Sequence, residues 1–175
     1  MEIFETKLDG VLIIKPKRFE DDRGFFFESY NKKKFDEAIG RKVSFLQDNF
    51  SCSHQGVFRG IHYQKKPFEQ AKLVSAYFGS VTDYVVDLRE NSLTYLQWEK
   101  FELSDKNGFQ VWIPEGFGHA FLATSKLVYF SYKTSEFYNQ NSEECIRWDD
   151  PKIGLKLDKG YDLKISEKDK NGKFL

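Results

Sequence analysis

From Val43 onward the chain falls into short runs in which apolar and polar residues alternate: VSFLQDNFS, GVFRGIHYQ, AKLVSAYFGSVTDYVVDLR, YLQWEKFELS, FQVWIP, HAFLATS, KLVYFSYKTSEFYN and CIRWDD. Each strand-like piece covers about four to nine residues, ends at Gly, Asn, Asp, Ser or Pro, and recurs roughly every ten to fifteen, the cadence of an antiparallel sandwich or barrel rather than of βαβ units. Ahead of these runs, Val11–Ile14 predicts a short strand ended at Pro16, and Asp21, Asp22, Arg23 and Gly24 mark a turn. Gly24–Tyr30 reads as a strand with Phe26, Glu28 and Tyr30 on one face. The longest helical pattern is NKKKFDEAIG, in which Asn31 is the cap, Phe35 and Ile39 lie four apart, and Gly40 is the stop. The tail from Lys152 is charged and turn-rich and is expected to be a loosely packed end with short helical turns. No repeat or linker divides the chain, so one mainly β domain over residues 1–175 is expected.

Composition narrows the functional classes. Lys plus Arg and Asp plus Glu number 27 each, so no global field attracts nucleic acid or an anionic membrane, and any anion must be held by a local cluster. Cys52 and Cys145 lie far apart without a CxxC spacing, which suits reduced thiols in a cytoplasmic protein. The opening MEIFETKLDG lacks an apolar signal core, and no run approaches the roughly 20 apolar residues of a membrane span, so a cytoplasmic location is expected. Aromatic residues make up 17% of the chain, which favours strands and pockets for planar ligands.

The candidate chemistry centres on Gly56–Val74, GVFRGIHYQKKPFEQAKLV, read as a strand, a polar turn and a second strand carrying Arg59, His62, Gln64, Gln70 and Lys72. The blander alternative is a surface hairpin with its polar residues in water. A second segment, VWIPEGFGHAF, turns tightly at Pro114 and Gly116 and returns His119 to a strand, either at a barrel mouth or as a satisfied core histidine. In VYFSYK, alternation sends Val128, Phe130 and Tyr132 to one face, and an inward face would place the Tyr132 hydroxyl inside a barrel. A metal-binding site in such a barrel would read His-x-His with a nearby Glu; here the sequence is His62-Tyr63-Gln64 with Lys72 adding positive charge, so no catalytic metal is expected. A histidine, a lysine and a tyrosine suit proton transfer and stabilisation of an oxyanion. Nucleophile-elbow, dinucleotide-loop and Walker patterns are missing, which leaves hydride and phosphoryl transfer without support.

Over nearly its whole length the chain resembles the dTDP-4-dehydrorhamnose 3,5-epimerases. The shared text runs from DDRGFFFESYN through FLQDNFSCSHQGVFRGIHYQ, AKLV, VVDLRENSLTY, WIPEGFGHAF, SYKTSEFYN and IRWDD to ISEKD. The resemblance implies a cupin-type jelly-roll β-barrel with a few short helices, acting without a cofactor on a dTDP-4-keto-6-deoxyhexose. It implies that His62 is the base, Asp169 the carboxylate that orients it, Lys72 the neighbour of the C4 oxygen, and Tyr132 the proton donor on the opposite face. It also implies substrate contacts from Gln47, Asp48, Asn49, Arg59, His119, Tyr138, Glu143 and Lys168. Arg23, Phe26 and Glu28 would reach nucleotide bound mainly by a partner subunit, in a homodimer. Two departures bear on specificity: GFGHAF stands where the family more often has Ala before the His and Gly after it, and SEFYN replaces an Asn-Tyr-Tyr pattern. Inversion at one carbon only, ketoisomerisation of a related sugar nucleotide, and a non-catalytic sugar-nucleotide-binding cupin remain as alternatives.

One geometric difficulty stands. Arg59 and His62 are three apart, which on a regular strand sends them to opposite faces. A bulge at Gly60, or Arg59 reaching round the rim from the strand's start, would reconcile them.

Overall fold

A computed structural model describes residues 1–175. In chain order the first elements are β1 (Glu2–Glu5), β2 (Leu12–Lys15), β3 (Arg18–Asp21), β4 (Gly24–Phe27), α1 (Lys32–Ile39), β5 (Gln47–His54), β6 (Val57–Gln64) and β7 (Lys72–Phe78). There follow β8 (Ser80–Asp87), β9 (Trp98–Ser104), β10 (Gln110–Ile113), β11 (Phe117–Ala123), β12 (Leu127–Thr134), β13 (Glu143–Cys145), β14 (Lys164–Ile165) and α2 (Glu167–Lys170). Neither helix is long and apolar enough to cross a membrane.

The strands form two facing sheets, ordered β1-β2-β10-β7-β12-β5 and β13-β6-β11-β8-β9, with β14 added beside β6. This is the cupin-like, mainly β architecture expected. Strand pairing is antiparallel except for β14 on β6. Period-two alternation sorts the side chains into layers. The space between the sheets is filled by Val74, Val81, Val85, Val111, Phe121, Val128 and Phe130 among others. The outer face of the first sheet, with Ile14, Leu73 and Trp112, is covered by Phe35 of α1. The outer face of the second, with Phe58, Ile61, Tyr84, Val86 and Leu122, is covered by Ile146, Ile153, Leu155 and neighbours.

α1 follows its sequence signals closely. The Asn31 side chain accepts from Lys34 N, and Gly40 ends the helix in the left-handed conformation. Elsewhere the structure corrects the expectations. β4 stops at Phe27, and Glu28 leaves the strand to accept hydrogen bonds from Asn31 and Lys34 near the helix start. VSFLQDNFS becomes a strand only from Gln47. The two strands of Gly56–Val74 are not a hairpin, because β6 and β7 belong to opposite sheets. The tail is not loosely packed: it covers the second sheet and buries Asp169, which is 3% exposed.

A bulge in β6 resolves the placing of Arg59 and His62. His119 of β11 pairs with His62, but Phe121 pairs with Arg59, so Gly60 and Ile61 together oppose the single residue Ala120. The Gly60–Ile61 peptide is cis. Gly60 has φ +131°, and a Cβ there would lie 2.3 Å from the Ala120 Cβ and 2.7 Å from the His119 carbonyl oxygen. Gly60→Ala is therefore expected to cost about 1–3 kcal/mol for the backbone conformation alone, with the steric conflict adding to it. Urea unfolding checks this, and an unchanged midpoint would contradict the account of the bulge.

Candidate active site

Between the sheets, at the end where the interior turns polar, lies a cleft of about 740 Å³. The bulge brings Arg59 and His62 of β6 to its wall, and the crossover to the opposite sheet brings Lys72 of β7. β11 supplies His119, β12 supplies Tyr132, and β13 supplies Glu143; Tyr138, Lys168 and Asp169 also line it. Val128 and Phe130 are fully buried on the Tyr132 face, so the alternation read for β12 holds.

A short polar contact at this wall joins His62 Nε2 to Asp169 Oδ1 at 2.6 Å. Burial alone would raise the Asp169 pKa, but hydrogen bonds involving His62, the Gly60 amide and Ser166 outweigh it and hold the carboxyl below the usual range. An ionised carboxylate can only accept, so the facing imidazole nitrogen carries a hydrogen, and in the neutral ring the lone pair is then on the other nitrogen. Asp169 is held from behind as well: its own amide donates to Ser166 Oγ at 3.1 Å, the N-cap bond of α2.

Lys72 is 6% exposed, and its Nζ donates to the His62 carbonyl oxygen at 3.3 Å. Burial pushes its pKa down to about 8, with Asp83 and Glu143 pulling the other way. It is therefore mostly charged at neutral pH, yet poorly solvated. His119 Nε2 meets Asp83 Oδ2 at 2.7 Å. Asp83 is completely buried, which raises its pKa against the attraction of His119 and Lys72, and its Oδ1 has no hydrogen-bond partner. Tyr132 is likewise raised by burial and by Glu143, with Arg59 opposing.

Around the rim, the Tyr138 hydroxyl donates to Glu143 Oε2 at 2.9 Å, and Lys168 Nζ pairs with the same oxygen at 2.6 Å. Burial raises Glu143, but Lys168 and Tyr138 prevail and keep it ionised. Gln64, noted in the sequence without a role, clamps the Tyr138 loop: it accepts from Asn139 N at 2.7 Å and donates to the Phe137 carbonyl at 3.1 Å. Arg59 donates to Ser53 Oγ at 3.2 Å and to the Cys52 carbonyl at 3.4 Å.

The structure brings together His62, Lys72, Tyr132, Asp169, Arg59, His119, Tyr138, Glu143 and Lys168. Gln47 acts on the cleft through the backbone, accepting from Tyr138 N at 2.9 Å, and donates to Asn49 Oδ1 at 2.8 Å. Asp48 alternates to the other side of β5 and pairs with Lys133 at 2.9 Å, outside the cleft. Arg23, bonded to Asp21 in the β3–β4 turn, the 67% exposed Phe26, and Glu28 do not line this chain's cleft. The residue that sequence reasoning missed is Asp83. Its signal was present: a carboxylate between Val81 and Val85 on the inward face of an otherwise apolar strand.

The sign of the Asp169 shift generates a stability prediction. A carboxyl depressed by folding stabilises the protein above the unfolded-state pKa and loses that contribution as pH falls through the folded-state value. Asp169→Asn should cost about 1.5–3 kcal/mol at pH 7, the range for hydrogen bonds to charged groups. The gap from the parent protein should narrow below about pH 4. Urea midpoints of both proteins at neutral and acid pH test this; a gap constant with pH would argue that the carboxylate's charge is not what matters.

Comparison with known proteins identifies one family. A family model described as dTDP-4-dehydrorhamnose 3,5-epimerase matches residues 5–175. A dTDP-4-dehydrorhamnose 3,5-epimerase of Shigella flexneri is 47% identical over 172 residues, covering 98% of this chain and 94% of that protein. Its counterpart from Pseudomonas aeruginosa is 46% identical over 173 residues, covering 99% and 95% respectively. Among solved structures, a dTDP-6-deoxy-D-glucose-3,5-epimerase of Legionella pneumophila in complex with dTDP-4-keto-L-rhamnose matches with a TM-score of 0.96 at 42% identity, over 99% of this chain and 92% of that one.

Proposed function

The chain belongs to the dTDP-4-dehydrorhamnose 3,5-epimerase family, and from that premise we propose how its cleft inverts C3 and C5 of dTDP-4-keto-6-deoxy-D-glucose to give dTDP-4-keto-L-rhamnose. It is an isomerase of dTDP-rhamnose biosynthesis. The observation that carries the residue assignment is the 2.6 Å His62–Asp169 contact at the cleft wall.

The C4 ketone acidifies the hydrogens on C3 and C5, because the carbanion left by either delocalises onto oxygen as an enolate. His62 takes the proton with its free ring nitrogen, and Asp169 balances the imidazolium that results. Lys72, charged and desolvated, lies beside the ketone oxygen and stabilises the enolate. In water-poor surroundings such a charge counts for much more than in bulk solvent. Tyr132 returns a proton from the opposite face, so the centre inverts. Positioned acids and bases contribute roughly 10²–10⁴-fold each. The reaction is redox-neutral, and its atoms balance without a cofactor.

Arg59 at the cleft wall suits the pyrophosphate, with His119 behind it in the same cleft. Tyr138, Glu143 and Lys168 form the nucleotide-side rim, with Gln47 and Asn49 supporting it. A homodimer fits the remaining surface. The β3–β4 ribbon belongs to neither main sheet, and it exposes Phe19, Phe25 and Phe26. The open edge strand β5 exposes Phe50. Side chains of this kind mark surfaces that associate. In such a dimer the ribbon would bring Arg23, Phe26 and Glu28 to the partner's nucleotide. Two free thiols suit a cytoplasmic setting, where nucleotide sugars are made.

Incubation with dTDP-4-keto-6-deoxyglucose in D2O, followed by NMR, should show exchange at both H3 and H5; exchange at neither would defeat the reading, and at one alone would reduce it to a single-carbon epimerase. His62→Asn should abolish exchange. Tyr132→Phe should spare deuterium wash-in more than inverted product, and equal loss of both would remove Tyr132 as the reprotonating acid. Sedimentation should give a dimer of the 20.6 kDa chain. Phe26→Asp or Phe50→Asp should shift it towards monomer. A monomeric parent protein at micromolar concentration would sink the dimer.

A further inference from the structure

Behind the His62–Asp169 pair sits a thiol that the reaction does not use. Cys145 ends β13, does not line the cleft, and places Sγ 3.6 Å from Asp169 Oδ1. The ligand atoms of His62, Cys145 and Asp169 all lie within 4.8 Å of one another. We propose that these three side chains form a binding site for a soft or borderline divalent cation such as zinc or cadmium, and that the ion switches the enzyme off by occupying its base.

The donor set favours this class of ion. One thiolate, one imidazole and one carboxylate suit zinc and cadmium and are poorly matched to magnesium or calcium, which take oxygen ligands. The sulfur–oxygen distance fits as it stands, and the imidazole has to shift to meet the other two, since the three ligand atoms are held within 4.8 Å of one another. With Zn–S about 2.3 Å and Zn–O about 2.0–2.2 Å, a tetrahedral ion holds sulfur and oxygen about 3.5 Å apart, against 3.6 Å between Sγ and Oδ1 here. The His62–Asp169 contact has to open from its hydrogen-bonded 2.6 Å by roughly half an ångström or more, as the same bond lengths require. His62, with its side chain 31% exposed, can make that adjustment.

The other two ligands are fixed. Asp169 is anchored by the Gly60 amide and the start of α2. Cys145 is paired in register with His62, and its carbonyl accepts from Lys173 N at 2.9 Å. On binding, the thiol proton leaves to solvent, the carboxylate enters ionised, and the neutral imidazole exchanges tautomer, so that Nε2 gives its lone pair to the metal and the ring hydrogen moves to Nδ1, the nitrogen that would otherwise accept the substrate proton. A ring so engaged cannot accept a proton from substrate. The inhibition rests on the reaction proposed above; the binding does not.

The test uses the full chain with Cys52→Ser, because the exposed Cys52 thiol would capture metal on its own account. Titration with cadmium, followed by the ultraviolet thiolate-to-metal charge-transfer band, should give one ion per chain. Adding Cys145→Ser should abolish the band and weaken zinc binding about 100-fold, while His62→Asn should keep the band but weaken binding about 10–100-fold, the scale on which metal sites respond to lost partners. Zinc should stop solvent exchange at H3 and H5 until a chelator restores it. The Cys145→Ser protein, active without metal, should need at least tenfold more zinc for the same loss. Failure of the band to appear in Cys52→Ser, its survival without Cys145, or indifference to His62→Asn would overturn the site. Equal zinc sensitivity with and without Cys145 would overturn the switch. A protein that binds cadmium as described but exchanges no substrate hydrogen under any condition would count against the reaction and leave the site standing.

Discussion

The sheet that carries His62 is apolar on both faces, so it has to be covered from outside as well as packed from within. Its outer face presents Phe58, Ile61, Tyr84, Val86 and Leu122, and burying each such side chain is worth about 1.5–3 kcal/mol. The cover comes from residues beyond β13, chiefly Ile146, Ile153 and Leu155. Having crossed that face, the chain joins β6 through the parallel pairing of Lys164 and Ile165 with Val57 and Phe58. Only then does α2 turn inward and place Asp169 against His62. The position of the carboxylate is thus a consequence of hydrophobic cover, and the polar site inherits its rigidity from apolar packing on the far side of the same strand.

Charge is concentrated at one end of the interior. Next to Lys72, Asp83 and His119 the same inward faces carry Val74, Val81, Val85, Phe121 and Phe130. Buried charges are costly unless they are paired, and the pairing here is incomplete, since Asp83 keeps one oxygen without a hydrogen-bond partner. Lys72 bears the cost as a pKa pushed down to about 8. A lysine in that condition gains more from an adjacent oxyanion than a solvated one does, because no water shell has to be removed first. The destabilised charge and the role proposed for it follow from one physical fact.

Legibility in the sequence divided along the same physical lines. Local signals were readable: the caps of α1 at Asn31 and Gly40, the strand cadence, and the inward face of Val128, Phe130 and Tyr132 all reappear in the structure. The site residues on strands were recognisable because polar side chains interrupt apolar alternation. What the pattern could not carry was pairing between distant segments. Gly56–Val74 looked like a hairpin, because nothing local says that β7 crosses to the other sheet. The charged tail looked solvated, because the apolar face that binds it lies about a hundred positions earlier. Asp83 carried a local signal, a carboxylate on an apolar strand, but its meaning depends on His119, which is its neighbour only across the β8–β11 pairing.

The bulge at Gly60 shows how one strand serves two chemical ends. On a regular strand, inward positions are two apart, so Arg59 and His62 could not both face the cleft. Setting Gly60 and Ile61 against the single residue Ala120 shifts the register by one and brings both residues to the cleft. Ile61 still reaches the outer core, where it is fully buried and exchanges backbone hydrogen bonds with Ile146. The guanidinium proposed to bind the anion and the proposed base are thereby separated by a fixed length of hydrogen-bonded backbone rather than by a loop. The distance from the reacting carbons to the diphosphate of a nucleotide sugar is itself nearly constant. In the proposed reaction, a rigid spacing between the two protein groups would let diphosphate binding position the hexose against His62 without ordering a mobile segment, leaving more of the binding energy for the proton transfer.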